Sequence, residues 1–123
     1  MKKPYLFILG IVICGFFASC EYTPIIPEEG KTGDISFATD IQPIFTSKCI
    51  ACHKTGGSAP FSLEAGKSYE TITTYSPGLI DKTTPANSLL YTEPGSANHS
   101  FGALTQAEKD NILNWIEQGA KNN

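Results

Sequence analysis

The spacing of two cysteines and one histidine constrains this 123-residue chain more than any other feature. Cys49 and Cys52 are separated by two residues, and His53 follows the second cysteine directly. This C-x-x-C-H spacing is the pattern at which haem c is attached to protein. Each thiol can add to one vinyl group of haem, and the adjacent imidazole can bind the iron from one side of the porphyrin. The pattern therefore predicts one covalent haem c, tethered by Cys49 and Cys52, with His53 as an iron ligand.

Three alternatives explain the same thiols without haem. A thioredoxin-like redox pair is expected beside a βαβ pattern, and none is visible in this sequence. A structural zinc site needs four ligands, and only His53 and His99 are available to complete it. A structural disulfide is compatible with an exported protein but gives His53 no role. Haem attachment is the interpretation that uses both thiols and the imidazole.

The first 19 residues have the features of an export signal. Two lysines precede an apolar run over residues 5–17, which has the length of a signal-peptide core and is short for a membrane span. The run leads into Ala18, Ser19 and Cys20, and this ending resembles the lipobox of bacterial lipoproteins. In that motif the cysteine becomes the lipidated first residue of the mature protein. We therefore expect a lipoprotein signal peptide over residues 1–19 and a lipid anchor at Cys20, with an uncleaved N-terminal anchor as the alternative.

The charge balance of the chain argues against binding to nucleic acid. The nine basic residues are outnumbered by twelve acidic ones, which gives a formal charge of −3. A basic stripe is the usual mark of nucleic-acid binding, so we expect none. Residues 20–35 are rich in proline, glycine and charge, which predicts a flexible tether between the lipid and a folded domain.

Helical periodicity runs through residues 36–123, with no strand pattern of useful length. The predicted class is therefore a single small all-α domain. Two of its helices are expected to be short, over residues 65–74 and 84–91, and a loop is expected over residues 92–103. A domain of this size has a thin core, to which a buried haem would add apolar surface. The apolar residues expected to pack against haem or to form the core are Phe45, Phe61, Leu89, Leu90, Phe101 and Trp115.

The first and last helices have the clearest predicted boundaries. The first should begin near Thr39, because Pro43 is tolerated only in the first turn of a helix. It leads directly into the haem-attachment motif. The last, about fifteen residues long, should begin at a capping box formed by Thr105 and Glu108 and should end at Gly119.

Three blocks of the sequence resemble the class I cytochrome c family, and more closely the short cytochrome c domains of Gram-negative membrane lipoproteins. The first block is residues 37–45 followed by the haem-attachment motif, the second is residues 88–91, and the third is Leu104 and Thr105 with residues 115–120. Together they cover about residues 36–121. The resemblance implies a cytochrome c-like helical fold wrapped around one haem, with the first and last helices crossing. It also implies single-electron transfer.

The resemblance directs attention to the second axial ligand of the iron. In the family this ligand is usually a methionine in the loop before the last helix. The only methionine of this chain is Met1, which would be removed with the signal peptide. His99 lies in the corresponding loop and is the only histidine besides His53. We therefore predict that His99 binds the iron opposite His53. The alternative is a solvated His99, with the iron five-coordinate or bound by water or lysine.

The expected function is that of a membrane-anchored monohaem c-type cytochrome, an electron carrier and not an enzyme. It would pass single electrons between redox partner proteins in the cell envelope, facing the periplasm or exposed as an outer-membrane or cell-surface lipoprotein. A haem module that binds small ligands or has peroxidase-like activity is the main alternative, and it requires an open iron position. A thiol-redox or metal-binding module without haem is the third possibility.

Overall fold

The computed structural model describes residues 29–123. The predicted signal peptide, Cys20 and residues 21–28 lie outside these residues. Within 29–123 all regular elements are helical, and the one β-type contact is an isolated bridge between Ser96 and His99. The all-α class is therefore confirmed for this part of the chain. No helix within it is both long and apolar enough to cross a bilayer.

The first helical region begins two residues earlier than predicted. A π-helical turn, Phe37–Ile41, runs into α1, Gln42–Lys48. Ser36 caps the turn, since its Oγ accepts from the Thr39 amide at 3.4 Å. Pro43 lies at the start of α1, where its missing amide hydrogen costs no hydrogen bond. The wider turn thus precedes the proline, and regular α-helix follows it.

The two short helices are shorter than their predicted spans. The first, α2, covers Ser68–Thr74 and not residues 65–74. Gly66 has φ +83°, a left-handed conformation that an α-helix cannot continue through. The predicted helix over residues 84–91 is divided into a 3₁₀ turn, Pro85–Asn87, and α3, Leu89–Thr92.

Ser88 causes the division between the 3₁₀ turn and α3. Its backbone is extended, with ψ 130°, and its side chain is fully buried. The Ser88 Oγ accepts from the Asp81 amide at 2.9 Å. This bond satisfies a buried hydroxyl, and it interrupts the helical hydrogen bonding that the sequence pattern predicts.

The last helix, α4, covers Gln106–Glu117 and starts as predicted. The Glu108 amide donates to Thr105 Oγ1 at 3.2 Å, and the Thr105 amide donates to Glu108 Oε2 at 2.7 Å. Both halves of the capping box are thus formed. The helix has 12 residues, fewer than predicted, and it ends before Gly119, whose φ is +97°.

The core forms where the start of the first helical region packs on α4. The rings of Phe37, Tyr69 and Trp115 contact one another, with centroid separations of 5.2 to 6.4 Å. Trp115 is fully buried, and its Nε1 donates to the Lys121 carbonyl at 2.9 Å. The Ala38 amide donates to the carbonyl of Asn123 at 3.0 Å, which joins the C-terminus to the same end of the core.

The last residues of the segment predicted as a tether are packed on α4. The Lys31 amide donates to Asn111 Oδ1 at 2.7 Å, and the Ile35 amide donates to Gln118 Oε1 at 2.8 Å. Ile35 is 2% exposed and belongs to the core. Its apolar side chain and these polar contacts place residues 30–35 with the domain, although the predicted tether as a whole, rich in proline, glycine and charge, has the composition of a linker.

Candidate cofactor site

A cavity of about 480 Å³ opens beside the C-x-x-C-H segment. Its size lies within the range of about 300–1,000 Å³ typical of cofactor and ligand sites. Lys48 and Glu93 contribute the only Lys, Asp or Glu side chains of the lining. The apolar side chains of the lining include Phe61, Leu63, Leu79, Leu89, Leu90 and Phe101. A second cavity, of about 380 Å³ beside Ile72 and Asp81, contains none of the predicted site residues.

A single turn at the end of α1 brings Cys49, Cys52 and His53 to the cavity wall. The Cys49 amide closes the last turn of α1 on the Phe45 carbonyl, at 2.9 Å. The Cys49 carbonyl then accepts from the amides of Cys52 and His53, at 3.2 and 2.9 Å. Both thiols and the imidazole are therefore held by one hydrogen-bonded turn. The two cysteines are partly buried and not joined to each other.

The His53 ring is oriented by the segment on the far side of the following loop. Its Nδ1 lies 3.3 Å from the carbonyl oxygen of Phe61, and the two rings pack with centroids 4.4 Å apart. A carbonyl can only accept, so this contact favours the tautomer with hydrogen on Nδ1. The Nε2 atom then keeps its lone pair. Metal-binding histidines are commonly held by such a contact.

His99 is held in the same way by its own loop. Its Nδ1 lies 3.0 Å from the carbonyl oxygen of Phe101, which again leaves Nε2 with a lone pair. The His99 carbonyl accepts from the Gly95 amide at 2.9 Å, and this closes a tight turn. Gly102, with φ +70°, brings the loop against the end of α1, where a Cβ would lie 3.2 Å from the Lys48 carbonyl oxygen.

His53 and His99 both line the cavity, and their imidazole rings lie close to each other. Their ring centroids are 5.9 Å apart and their planes differ by 28°. Two imidazoles on opposite sides of one metal, with bonds of about 2.0–2.1 Å, have centres roughly 6 Å apart. The distance between the ring centres of His53 and His99 is of that size. Sequence reasoning identified both residues, but not their distance.

The next question is which kind of metal centre these donor residues would fit. Among residues 29–123 no three His, Cys, Asp or Glu side chains are grouped closely enough to hold an ion. A structural zinc site, which needs four such ligands, is therefore not formed by these residues. A porphyrin brings four nitrogens of its own and needs only axial ligands from the protein. His53 and His99, whose ring centres lie 5.9 Å apart beside this cavity, would supply them.

Burial also sets the protonation of the thiol and the imidazole. Burial raises the pKa of the Cys49 thiol to about 11, with a further rise from the charge of Glu108 and an opposing effect of Lys48. Thiol-redox catalysts instead have lowered cysteine pKa values, so a reactive thiolate at Cys49 is disfavoured. Burial lowers the pKa of His53, against the opposing hydrogen bond to Phe61. His53 is therefore neutral at neutral pH, which is the form that binds metal.

The six apolar residues singled out in the sequence separate into two groups. Phe61, Leu89, Leu90 and Phe101 line the cavity, and Phe101 is 77% exposed at its edge. Phe45 and Trp115 are fully buried in the core and are not part of the lining. Sequence reasoning did not assign two further lining residues, Tyr75 and Leu79. They lie outside regular helices, so no helical periodicity in the sequence could predict that their side chains point into the cavity.

Comparison with known proteins adds no relative: no family model matches the chain, and no curated protein or solved structure is similar to it.

Proposed function

We propose that this chain is a membrane-anchored monohaem c-type cytochrome that carries single electrons between redox proteins of the cell envelope. The observation that carries the proposal is the pair of imidazoles. His53 and His99 have ring centres 5.9 Å apart beside an apolar cavity, and the C-x-x-C-H thiols lie in its wall. Haem, when bound, supplies the iron that gains and loses one electron.

Each residue of the site has a separate role in this proposal. Cys49 and Cys52 tether the haem, which prevents its loss to solvent. His53 and His99 would hold the iron through Nε2, and the Phe61 and Phe101 carbonyls fix the orientation of the two rings. The apolar lining excludes water and lowers the local dielectric, which tunes the reduction potential.

The same pair of imidazoles makes electron transfer a better proposal than ligand binding. A haem that binds small molecules or peroxide needs an open coordination position on iron. With His53 and His99 both bound, no position is open. Electron transfer needs no vacant position, and it benefits from ligands that stay in place when the iron changes oxidation state. His99 is already oriented by hydrogen bonds within its loop.

The proposal includes attachment to a membrane through lipid at Cys20. Because residues 30–35 pack on α4, only residues 21–29 would separate the lipid from the domain. A chain of that length spans at most roughly 30 Å when fully extended. The haem site would then stay close to the membrane surface. Cys20→Ser should release the domain from membranes or block its processing. Unchanged membrane fractionation with the same mature N-terminus would contradict lipidation.

The decisive experiment is expression together with a cytochrome c maturation system, followed by absorption spectra of the oxidised and reduced protein. Covalent haem should survive denaturation and add its mass to the polypeptide in mass spectrometry. The spectrum should be that of a low-spin iron with two imidazole ligands. Extraction of the haem by acidic acetone would show that it is not covalently bound. Protein that is colourless after maturation would overturn the proposal.

A further inference from the structure

The contact between His53 and the Phe61 carbonyl depends on a loop with little regular structure. Residues 54–60 connect the two, and they include two adjacent glycines and no helix. The Leu63 amide donates to the His53 carbonyl at 2.8 Å, which fixes the backbone but not the Phe61 carbonyl. A further restraint is needed to hold that carbonyl beside His53 Nδ1.

Glu64 supplies contacts at both ends of this loop. A single carboxylate oxygen, Oε2, accepts from the Thr55 amide at 2.8 Å, from Thr55 Oγ1 at 2.6 Å and from Ser62 Oγ at 2.9 Å. Thr55 is two residues beyond His53, and Ser62 directly follows Phe61. Lys67 supports the arrangement, because its Nζ donates to Thr55 Oγ1 at 2.8 Å.

We propose that Glu64 is a positioning residue, which holds the Phe61 carbonyl at His53 Nδ1 and so sets how strongly His53 donates to haem iron. This inference rests on the proposed function. Hydrogen bonds to a carboxylate are roughly twice as strong as neutral ones, so one oxygen with three donors is a firm link. The residue never touches the cofactor cavity itself, since it is absent from the lining.

The link has a predictable effect on the iron. A carbonyl that accepts from Nδ1 makes the imidazole more basic and fixes its orientation. A more basic imidazole stabilises ferric iron over ferrous iron. Loosening the loop should therefore weaken the contact and raise the reduction potential. Removal of a negative charge also raises the potential, so the charge effect must be separated from the positioning effect.

Substitutions that leave the net charge unchanged separate the effect of charge from the effect of positioning. In haem-loaded protein, Thr55→Val and Ser62→Ala each remove one donor to Glu64 without changing the charge. Glu64→Gln removes the charge and weakens the acceptor. Glu70→Gln is the matched control, because it removes an exposed carboxylate of α2 that forms no part of the loop. Two quantities are measured: the reduction potential, and the solvent exchange of the His53 Nδ1 proton by NMR of the reduced, diamagnetic protein.

The expected result is a higher potential in Thr55→Val, Ser62→Ala and Glu64→Gln, with a larger rise in Glu64→Gln than in Glu70→Gln. Exchange of the Nδ1 proton should be about tenfold faster in Glu64→Gln, as expected for a weakened hydrogen bond. Exchange and potential that match wild type in both neutral variants would overturn the inference, since Glu64 would then act by charge alone. Wild-type protein without covalent haem would overturn the proposed function and this inference together.

Discussion

At the scale of single residues, His99 shows what the sequence supports and what it does not. The absence of any methionine beyond Met1 left His99 as the strongest neutral ligand for the second iron position. Its 5.9 Å separation from His53 could not be predicted, because it depends on how the loop over residues 95–102 folds against the end of α1. The contact between this loop and the end of α1 joins residues far apart in sequence, so no local sequence pattern could predict it.

Replacement of His99 tests its role at the iron. In His99→Ala the haem-loaded protein should lose one axial ligand, so the iron should shift from low spin toward high spin. Carbon monoxide should bind the reduced variant at least about tenfold faster, since no iron–imidazole bond has to break first. The wild type should have a lower reduction potential than a cytochrome with one histidine and one methionine ligand, because methionine ligation raises the potential.

The control for this variant is Asn98→Ala, which alters the neighbouring exposed loop residue and should leave the spectrum unchanged. A wild type that is already high-spin, or a His99→Ala spectrum identical to the wild type, would show that His99 is not the ligand. The function as a haem site for small molecules would then become the better proposal.

Glu64 gives a second prediction at this scale, on acid stability. Hydrogen bonds from the Thr55 hydroxyl, the Thr55 amide and Ser62 lower the pKa of Glu64 from 4.5 to about 2. Because the folded pKa is the lower one, the carboxylate stabilises the fold fully above pH 4.5, and this contribution is lost as the pH falls toward 2. The thermal midpoint, followed by circular dichroism, should therefore decline over that range. The decline should be shallower in Glu64→Gln and unchanged in Glu70→Gln, and equal slopes in all three proteins would contradict it.

At the scale of elements, the accuracy of the prediction follows the range of the interactions. The capping box at Thr105 and Glu108 involves groups three residues apart, and it forms as predicted. The split of the predicted helix at Ser88 depends on a buried hydrogen bond with Asp81, seven residues away. The helical pattern of residues 84–91 gave no indication of that partner. The start of α4, which has its own capping box, was thus predictable, and the break imposed by the burial of Ser88 was not.

Loss of the Thr105 cap should weaken the domain through α4. Thr105→Ala leaves the Glu108 amide without its acceptor, at a cost of about 1 kcal/mol in the free energy of unfolding. For a domain of this size that corresponds to a thermal midpoint lower by about 4–8 °C. Thr83→Ala is the control, because it removes an exposed threonine side chain outside any helix. Equal midpoints for the two variants, measured by calorimetry, would show that the cap contributes nothing measurable.

At the scale of the whole molecule, hydrogen bonds join both ends of the described chain to the folded domain. Residues 30–35 lie along α4, and the C-terminus bonds back to the start of the first helical region at Ala38. The boundary predicted from composition lay at residue 36, because proline and glycine favour a linker. Composition could not predict that Ile35 is buried, because its burial depends on contacts with residues about eighty positions later in the sequence, such as Gln118. The all-α class was predictable because helical spacing is a local property.

We also predict that the whole domain depends on haem for cooperative folding. The core is small, and the apolar lining of a cavity of about 480 Å³ would lack a packing partner without a cofactor. Haem would bury these side chains and would also link the end of α1 to the loop of His99. The double variant Cys49→Ala/Cys52→Ala cannot tether haem, so it should lack the cooperative thermal transition that we expect calorimetry to detect in the haem-loaded protein. Wild-type chain produced without haem maturation is the matched control, because it keeps both thiols and should also lack the transition. A sharp, cooperative unfolding transition in either haem-free protein would show that the polypeptide folds on its own contacts.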